Sequence, residues 1–226
     1  MTEEIPCNRA ICFKFQYLNV SNSIDFVVCS HPYMAKKAKK VEIIGLSGAR
    51  GSFSEEAART YASKAGLKTP QFRYLISVEN VLEALESRDI TLGIFPIENS
   101  NGGIVIEAVY AMAKHRFNIK KIFEIDVHHC LLVKKGTTAE KIKKIVSHDQ
   151  AIKQCRMYLK RRWPKVKIES YPDTAKAAED IAKGILPASV AAIASRMAAK
   201  VYKVDILEES IQDLKFNYTS FIAATK

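Results

Sequence analysis

Pro96-Ile97-Glu98-Asn99-Ser100-Asn101-Gly102-Gly103 is the stretch around which the chain is organised. It follows an apolar run, Ile90 to Phe95, that is rich in β-formers and bounded by Asp89 and Pro96, and so reads as a short buried strand. After Ile97 come a carboxylate, an amide and a hydroxyl, then glycines that let the backbone turn into a helix. Hydrogen-bonding side chains at a strand's carboxyl end, ahead of a helix N-terminus, mark where open α/β sheets bind ligands. Asn99 and Ser100 are equally good helix caps, so the rest of the chain has to decide.

Working outward, strand and helix patterns alternate. Glu42 to Leu46 reads as a strand, Gly48-Ala49-Arg50-Gly51 as a turn, and Ser52-Phe53-Ser54-Glu55-Glu56 as a capped helix start. Phe72 to Ile76 is the next strand, and Val78, Val81, Leu82 and Leu85 have helical spacing. Val105 to Lys114 reads as a helix, and Lys121 to Val133 as one extended run able to connect two lobes. Helices are expected over Ala139 to Lys144, Gln150 to Arg161, Thr174 to Lys183 and Ala194 to Tyr202. Strands are expected at Ile145 to His148, Val166 to Tyr171, Val190 to Ile193, Val204 to Leu207 and Thr219 to Ala224. The fold class is therefore α/β, with two similar parallel-sheet lobes and a cleft between them onto which the strand ends can face. His128-His129-Cys130 has the residue types of a zinc site. Neighbours on a strand face opposite ways and no further ligand cluster lies near, so no metal is expected.

With 226 residues, 48% hydrophobic and 26% charged, the chain is globular and long enough to bury a sizeable core. No apolar run approaches the roughly 20 residues that span a bilayer, and no signal peptide is visible at Met1. A cytoplasmic protein without a membrane partner is expected. Its five cysteines, without a Cys-x-x-Cys pair, are expected to be reduced. The net charge of +11 favours an anionic partner. No nucleic-acid-binding signature accompanies it, so a small polyanion fits better than nucleic acid. Residues 1–40 read as a separate extension, with Ile11 to Val20 and Ile24 to Cys29 able to pair as a hairpin before the basic linker Lys36 to Lys40.

With these motifs in order, the chain from Val41 to Thr225 resembles the catalytic domain of prephenate dehydratases. Gly51-Ser52-Phe53-Ser54-Glu55 is similar to the family's Gly-Thr-Phe-Ser-Glu opening, and Pro96 to Ser100 to its central motif. His128-His129-Cys130-Leu131-Leu132 resembles its inter-lobe strand. Ser147-His148-Asp149-Gln150-Ala151, with Gln154-Cys155, follows its Ser-His-Pro-Gln-Ala pattern, and Asn217-Tyr218-Thr219-Ser220-Phe221 its Asn-Tyr-Thr-Arg-Phe ending. The resemblance implies a fold similar to type 2 periplasmic binding proteins, with lobe 1 over residues 41–121 plus 205–226 and lobe 2 over 122–204. It implies loss of carbon dioxide and water from prephenate, a small dianion, to give phenylpyruvate for L-phenylalanine biosynthesis, with no metal or organic cofactor and with possible homodimers. Thr219 would present its hydroxyl to the leaving group, and Glu98 and Asn99 would orient substrate and the proton network. Ser52, Ser54, Ser100, Ser147, Gln150, Thr174, Asn217 and Ser220 would line the substrate.

Several positions depart from the family pattern. Ser220 stands where the family has arginine, which removes a planar cation suited to a carboxylate. Arg50 and Ala49 stand where the opening loop usually has glutamate and proline; Asp149 replaces a proline; Ile104, Ile106 and Ala108 replace Ser, Asn and Thr. Arg50 is therefore expected either to replace the lost guanidinium from across the cleft or to pair with Glu55. The sequence as given ends at Lys226, so feedback through the phenylalanine-sensing ACT domain that commonly follows is not expected within it. Besides dehydration, two activities fit this pattern: a non-aromatising prephenate decarboxylase, and a catalytically silent module that binds a small dicarboxylate.

Overall fold

The structure of the protein is a computed structural model that describes residues 41–226. The extension over residues 1–40, with its expected hairpin, lies outside the described residues. Two sheets account for the architecture. The first contains β2 (Gln71–Tyr74), β1 (Ile43–Leu46), β3 (Leu92–Asn99), β11 (Tyr218–Thr225) and β5 (Asn118–Asp126) in that order, with the short β4 (Gly103–Ile104) paired to β3. The second contains β10 (Asp205–Glu208), β6 (His129–Val133), β9 (Val190–Ser195), β7 (Lys144–Ser147) and β8 (Lys167–Ser170).

In the first lobe, helix α1 (Phe53–Lys64) covers one face of the sheet, and α2 (Val78–Glu86) and α3 (Ile106–Lys114) cover the other. α1 begins where Ser52 Oγ accepts from the Glu55 amide at 3.3 Å, and α2 where Ser77 Oγ accepts from the Asn80 amide at 3.1 Å. Each cap satisfies an amide that has no partner inside its helix. The expected stripe Val78, Val81, Leu82 and Leu85 is buried, and hiding a side chain such as Leu82 stabilises the fold by about 1.5–3 kcal/mol. In the second lobe, Ala175, Ala177 and Ala178 of α6 (Thr174–Ala182) are fully buried, as are Ala191, Ala192 and Ala194 of β9. Such small residues let a helix lie close to a sheet. α4 (Asp149–Gln154), α5 (Arg156–Arg162) and α7 (Arg196–Tyr202) complete the lobe.

The sheets are mixed, not parallel as read. β11 runs antiparallel to β3 and β5, and β6 antiparallel to β9 and β10. The chain crosses between the lobes twice, and the strand that follows each crossing, β6 or β11, enters its sheet against the direction of the βα strands. The expected extended run is two strands, β5 and β6, one in each sheet, separated by Val127 and His128. β10, expected in lobe 1, pairs with β6 in lobe 2, so the second crossing falls at residues 209–217. The expected helix Ala139 to Lys144 is a single 3-10 turn, Ala139–Lys141, and the helix expected over Gln150 to Arg161 breaks at Cys155. Cys130 and Cys155 are free and buried, and burial pushes both thiols up, which keeps them protonated. Among the described residues no helix is long and apolar enough to cross a membrane.

Candidate active site

β3 does not stop at Phe95 but continues through Pro96 to Asn99. Against β11, Ser220 lies opposite Glu98 and Phe221 opposite Pro96, so Ile97 is an extra, unopposed residue. A bulge of this kind tolerates a proline and turns over the rest of the strand. Asn99 consequently shares a face with Thr219 and Ile125, and Ile125 packs among Ala57, Ala58 and Tyr61 of α1. Glu98 falls on the other face, opposite Ser220 and Ile104, and the Ser220 hydroxyl donates to Glu124 at 3.2 Å.

Asn99 is the centre of an amide network. Its Oδ1 accepts from the Asn101 amide at 3.0 Å, the Gly102 amide at 2.8 Å and Gln154 Nε2 at 3.0 Å. The two backbone donors determine which end of the Asn99 side chain is oxygen. Its Nδ2 donates to Thr219 Oγ1 at 2.8 Å, Asn217 Oδ1 at 2.9 Å and the Tyr218 carbonyl at 3.1 Å. Gln154 must then direct Oε1 the other way, where it accepts from Asn217 Nδ2 at 3.0 Å and from His129 Nε2 at 2.7 Å. His129 is thereby held as the Nε2–H tautomer. Its Nδ1 is buried without a partner among the described residues, beside the Phe53 ring at a centroid distance of 5.3 Å. Burial holds this imidazole below the usual histidine range, against the Gln154 hydrogen bond, so it is neutral.

The preceding histidine, His128, serves the crossing instead. His128 Nδ1 accepts from Gln212 Nε2 at 3.1 Å, which leaves Nε2 to face Asp126 at 3.1 Å. Gln212 Oε1 in turn accepts from the His129 amide at 3.0 Å, so the two crossing strands are tied together.

The opening loop joins the lobes. Glu55 is fully buried and accepts from the Gly51 amide at 2.7 Å and from Arg59 Nε at 2.8 Å. Gly51 sits at φ 82°, a conformation that favours glycine, and its carbonyl accepts from Ser195 Oγ at 2.6 Å. The Arg50 carbonyl accepts from Tyr202 Oη at 2.7 Å; burial pushes that phenol up to about 12, so it remains a donor.

Asn99, Thr219 and Asn217 are thus brought into one cluster, and Gln150 approaches it at Gly102. Ser100 Oγ accepts from the Tyr218 amide at 3.0 Å and pins the two strand ends together. Ser52 caps α1, Ser54 is buried in its first turn, and Thr174 opens α6. Ser147, fully buried, spends its hydroxyl on the Ile193 carbonyl at 2.6 Å. Two expectations change. Glu98 and Ser220 lie on the sheet face away from Thr219, so the missing arginine would stand between Glu98 and Glu124. Arg50 is exposed and makes no ion pair with Glu55, which Arg59 occupies instead. Gln154 and His129 lay within quoted motifs, but nothing in the local pattern marks a helical glutamine as the bridge between an asparagine and a histidine.

The profile of the prephenate dehydratase family matches residues 44–226. Arogenate dehydratase 5, chloroplastic, of Arabidopsis thaliana is 35% identical over 180 residues, which cover 79% of this chain and 41% of that protein. The bifunctional chorismate mutase/prephenate dehydratase of Buchnera aphidicola subsp. Baizongia pistaciae (strain Bp) is 32% identical, over 81% of this chain and 48% of that one. The chain therefore spans less than half the length of these relatives. The crystal structure of prephenate dehydratase from Arthrobacter aurescens in complex with L-Phe is alike in fold, with a TM-score of 0.74 at 24% identity over 81% of this chain and 60% of that one. The profile match runs through both lobes and takes in every residue of the amide network, and on that basis the chain belongs to the prephenate dehydratase family.

Proposed function

We propose that this chain carries out the decarboxylating dehydration of prephenate to phenylpyruvate. The observation that carries the reading is the Thr219 hydroxyl. It is buried and held by Asn99, and its own hydrogen has no acceptor among the described residues. In the reaction the ring carboxylate leaves as carbon dioxide, and the electron pair of the broken carbon–carbon bond becomes a ring double bond. The carbon–oxygen bond at the ring hydroxyl breaks, and the departing hydroxide needs a proton to leave as water. Aromatisation supplies the driving force, so the protein has to position the substrate and present a donor. Thr219 is that donor. Because Asn99 is locked by Gln154, Asn101 and Gly102, the hydroxyl oxygen is held without reorganisation as charge develops.

A second substrate is favoured by one observation: a relative at 35% identity is named an arogenate dehydratase. Arogenate carries an amino group where prephenate has a keto group, and the same elimination yields phenylalanine. Incubating the purified chain with each compound, and following ultraviolet spectra and amino-acid release, separates the two. Phenylpyruvate or phenylalanine supports the reading. A non-aromatic product indicates decarboxylation alone, and no conversion of either compound overturns it.

A further inference from the structure

An open pocket of about 500 Å³ lies where the two lobes meet, beside the amide network and sharing Asn101, Gly102 and Gln154 with it. That volume falls within the range of small-molecule sites. Its second-lobe wall carries two cations, Lys153 at the end of α4 and Arg156 at the start of α5. One carboxylate, Asp213, borders the same space. Its two oxygens are committed to the Met157 and Tyr158 amides, each at 2.8 Å, so it caps α5 and faces neither cation in an ion pair. Among the described residues no carboxylate pairs with Lys153 or Arg156. Met157 and Leu214 line the pocket as well and leave 57% and 59% of their surface exposed, an apolar patch next to two uncompensated charges.

Cations, apolar side chains and an amide in one pocket describe a ligand with a carboxylate, a hydrocarbon ring and a hydrogen-bonding group. We infer that Lys153 and Arg156 hold a carboxylate of the ring-bearing substrate, with the ring over Met157 and Leu214 and its polar end toward Gln154 and Asn99. The cation that binds the carboxylate is thus supplied by the α4–α5 break. Position 220 and Arg50 do not supply it: the first faces Glu124, and the second lies at the joint with α7. This inference takes its ligand from the dehydratase reading, and its test is built so that the two fail separately.

Lys153→Gln, Arg156→Gln and the double variant remove exposed charges that make no hydrogen bond within the described residues, so folding is preserved. Lys120→Gln removes the same charge from β5 as a control. Binding is measured by calorimetry with cyclohexane-1,4-dicarboxylate, an unreactive ring dianion, and KM with prephenate and arogenate. Loss of one charge-assisted contact is expected to weaken binding at least about tenfold, with Arg156→Lys recovering part of it, while kcat falls less than KM rises. The salt dependence of kcat/KM should flatten in the double variant. Probe binding and KM at parental values in the double variant, or losses matched by Lys120→Gln, overturn the inference and leave the dehydratase reading standing. A parent that binds the probe through these cations but converts neither substrate overturns the dehydratase reading and leaves the pocket.

Discussion

Asn99 Nδ2 donates to Thr219 Oγ1 over 2.8 Å, across the paired strands β3 and β11 and 120 residues of sequence. A hydroxyl that accepts from an amide has its own hydrogen free for a third partner. Thr219→Val, which keeps the shape and removes the hydroxyl, should lower kcat at least about tenfold with little change in KM, and Thr219→Ser should retain most activity. An unaltered kcat in a folded Thr219→Val protein would remove this hydroxyl from the mechanism.

Gln154 links three side chains that have no other common partner: Asn99, Asn217 and His129. Gln154→Leu strands the His129 Nε2–H in a buried place. The expected loss of stability in urea unfolding is about 1–3 kcal/mol, accompanied by a lower kcat because Asn99 is no longer locked. Full stability would mean that water replaces the amide.

The contact between the opening loop and lobe 2 depends on Gly51. A Cβ there would lie 3.0 Å from Tyr202 Cε2 and 3.1 Å from Ala198 Cα, at φ 82°. Gly66 has a comparable φ of 67° with nothing within 4 Å of its Cβ. Gly51→Ala should therefore destabilise more than Gly66→Ala, by about 1 kcal/mol or more beyond the shared backbone strain. Equal losses would show that the loop yields freely.

Ser220→Arg restores the residue type of the family pattern, but between Glu98 and Glu124 at the exposed end of the face that α2 and α3 cover. It should raise Tm by about 1–3 °C and leave KM for a dianion unchanged. A marked fall in KM would place position 220 in the substrate site after all.

Two histidines should titrate in opposite senses. His115 lies between Glu86 at 2.9 Å and Glu79 at 3.1 Å, and the Glu86 hydrogen bond raises its pKa, with burial acting against it. Both carboxylates are held below their usual range, chiefly by the bond to His115. The His115 contribution to stability is present below the usual histidine pKa of about 6.5 and is lost as pH rises through the higher folded value. The carboxylate contribution is present above their usual pKa of about 4.3 and is lost as pH falls through the lower folded values. The stability difference between parent and His115→Gln should therefore peak at about pH 5–6 and shrink in alkaline solution. His129, held neutral by burial, should titrate below His115 in imidazole NMR spectra. The reverse order would contradict the buried tautomer.

The sequence by itself determined where strands and helices alternate. The stripe Val78, Val81, Leu82 and Leu85, the cap Ser52, and the apolar runs Ile90 to Phe95 and Val190 to Ile193 are local signals, and each lies in or opens an element of the expected kind. The order of motifs also identified the family. The tertiary structure decided everything that depends on register. Whether Glu98 or Asn99 faces Thr219 turns on one unopposed residue, Ile97, and a bulge exists only relative to a partner strand more than a hundred residues away. For the same reason β10, expected in lobe 1, pairs with β6 instead: its four residues read as a strand in either sheet, and the pairing is a non-local choice. Gln154 stands in the quoted Gln154-Cys155 pair, but nothing in the sequence marks it as a bridge between lobes. Its role comes from a helix that breaks at Cys155 beside a strand end from the other lobe, and no local propensity encodes that meeting.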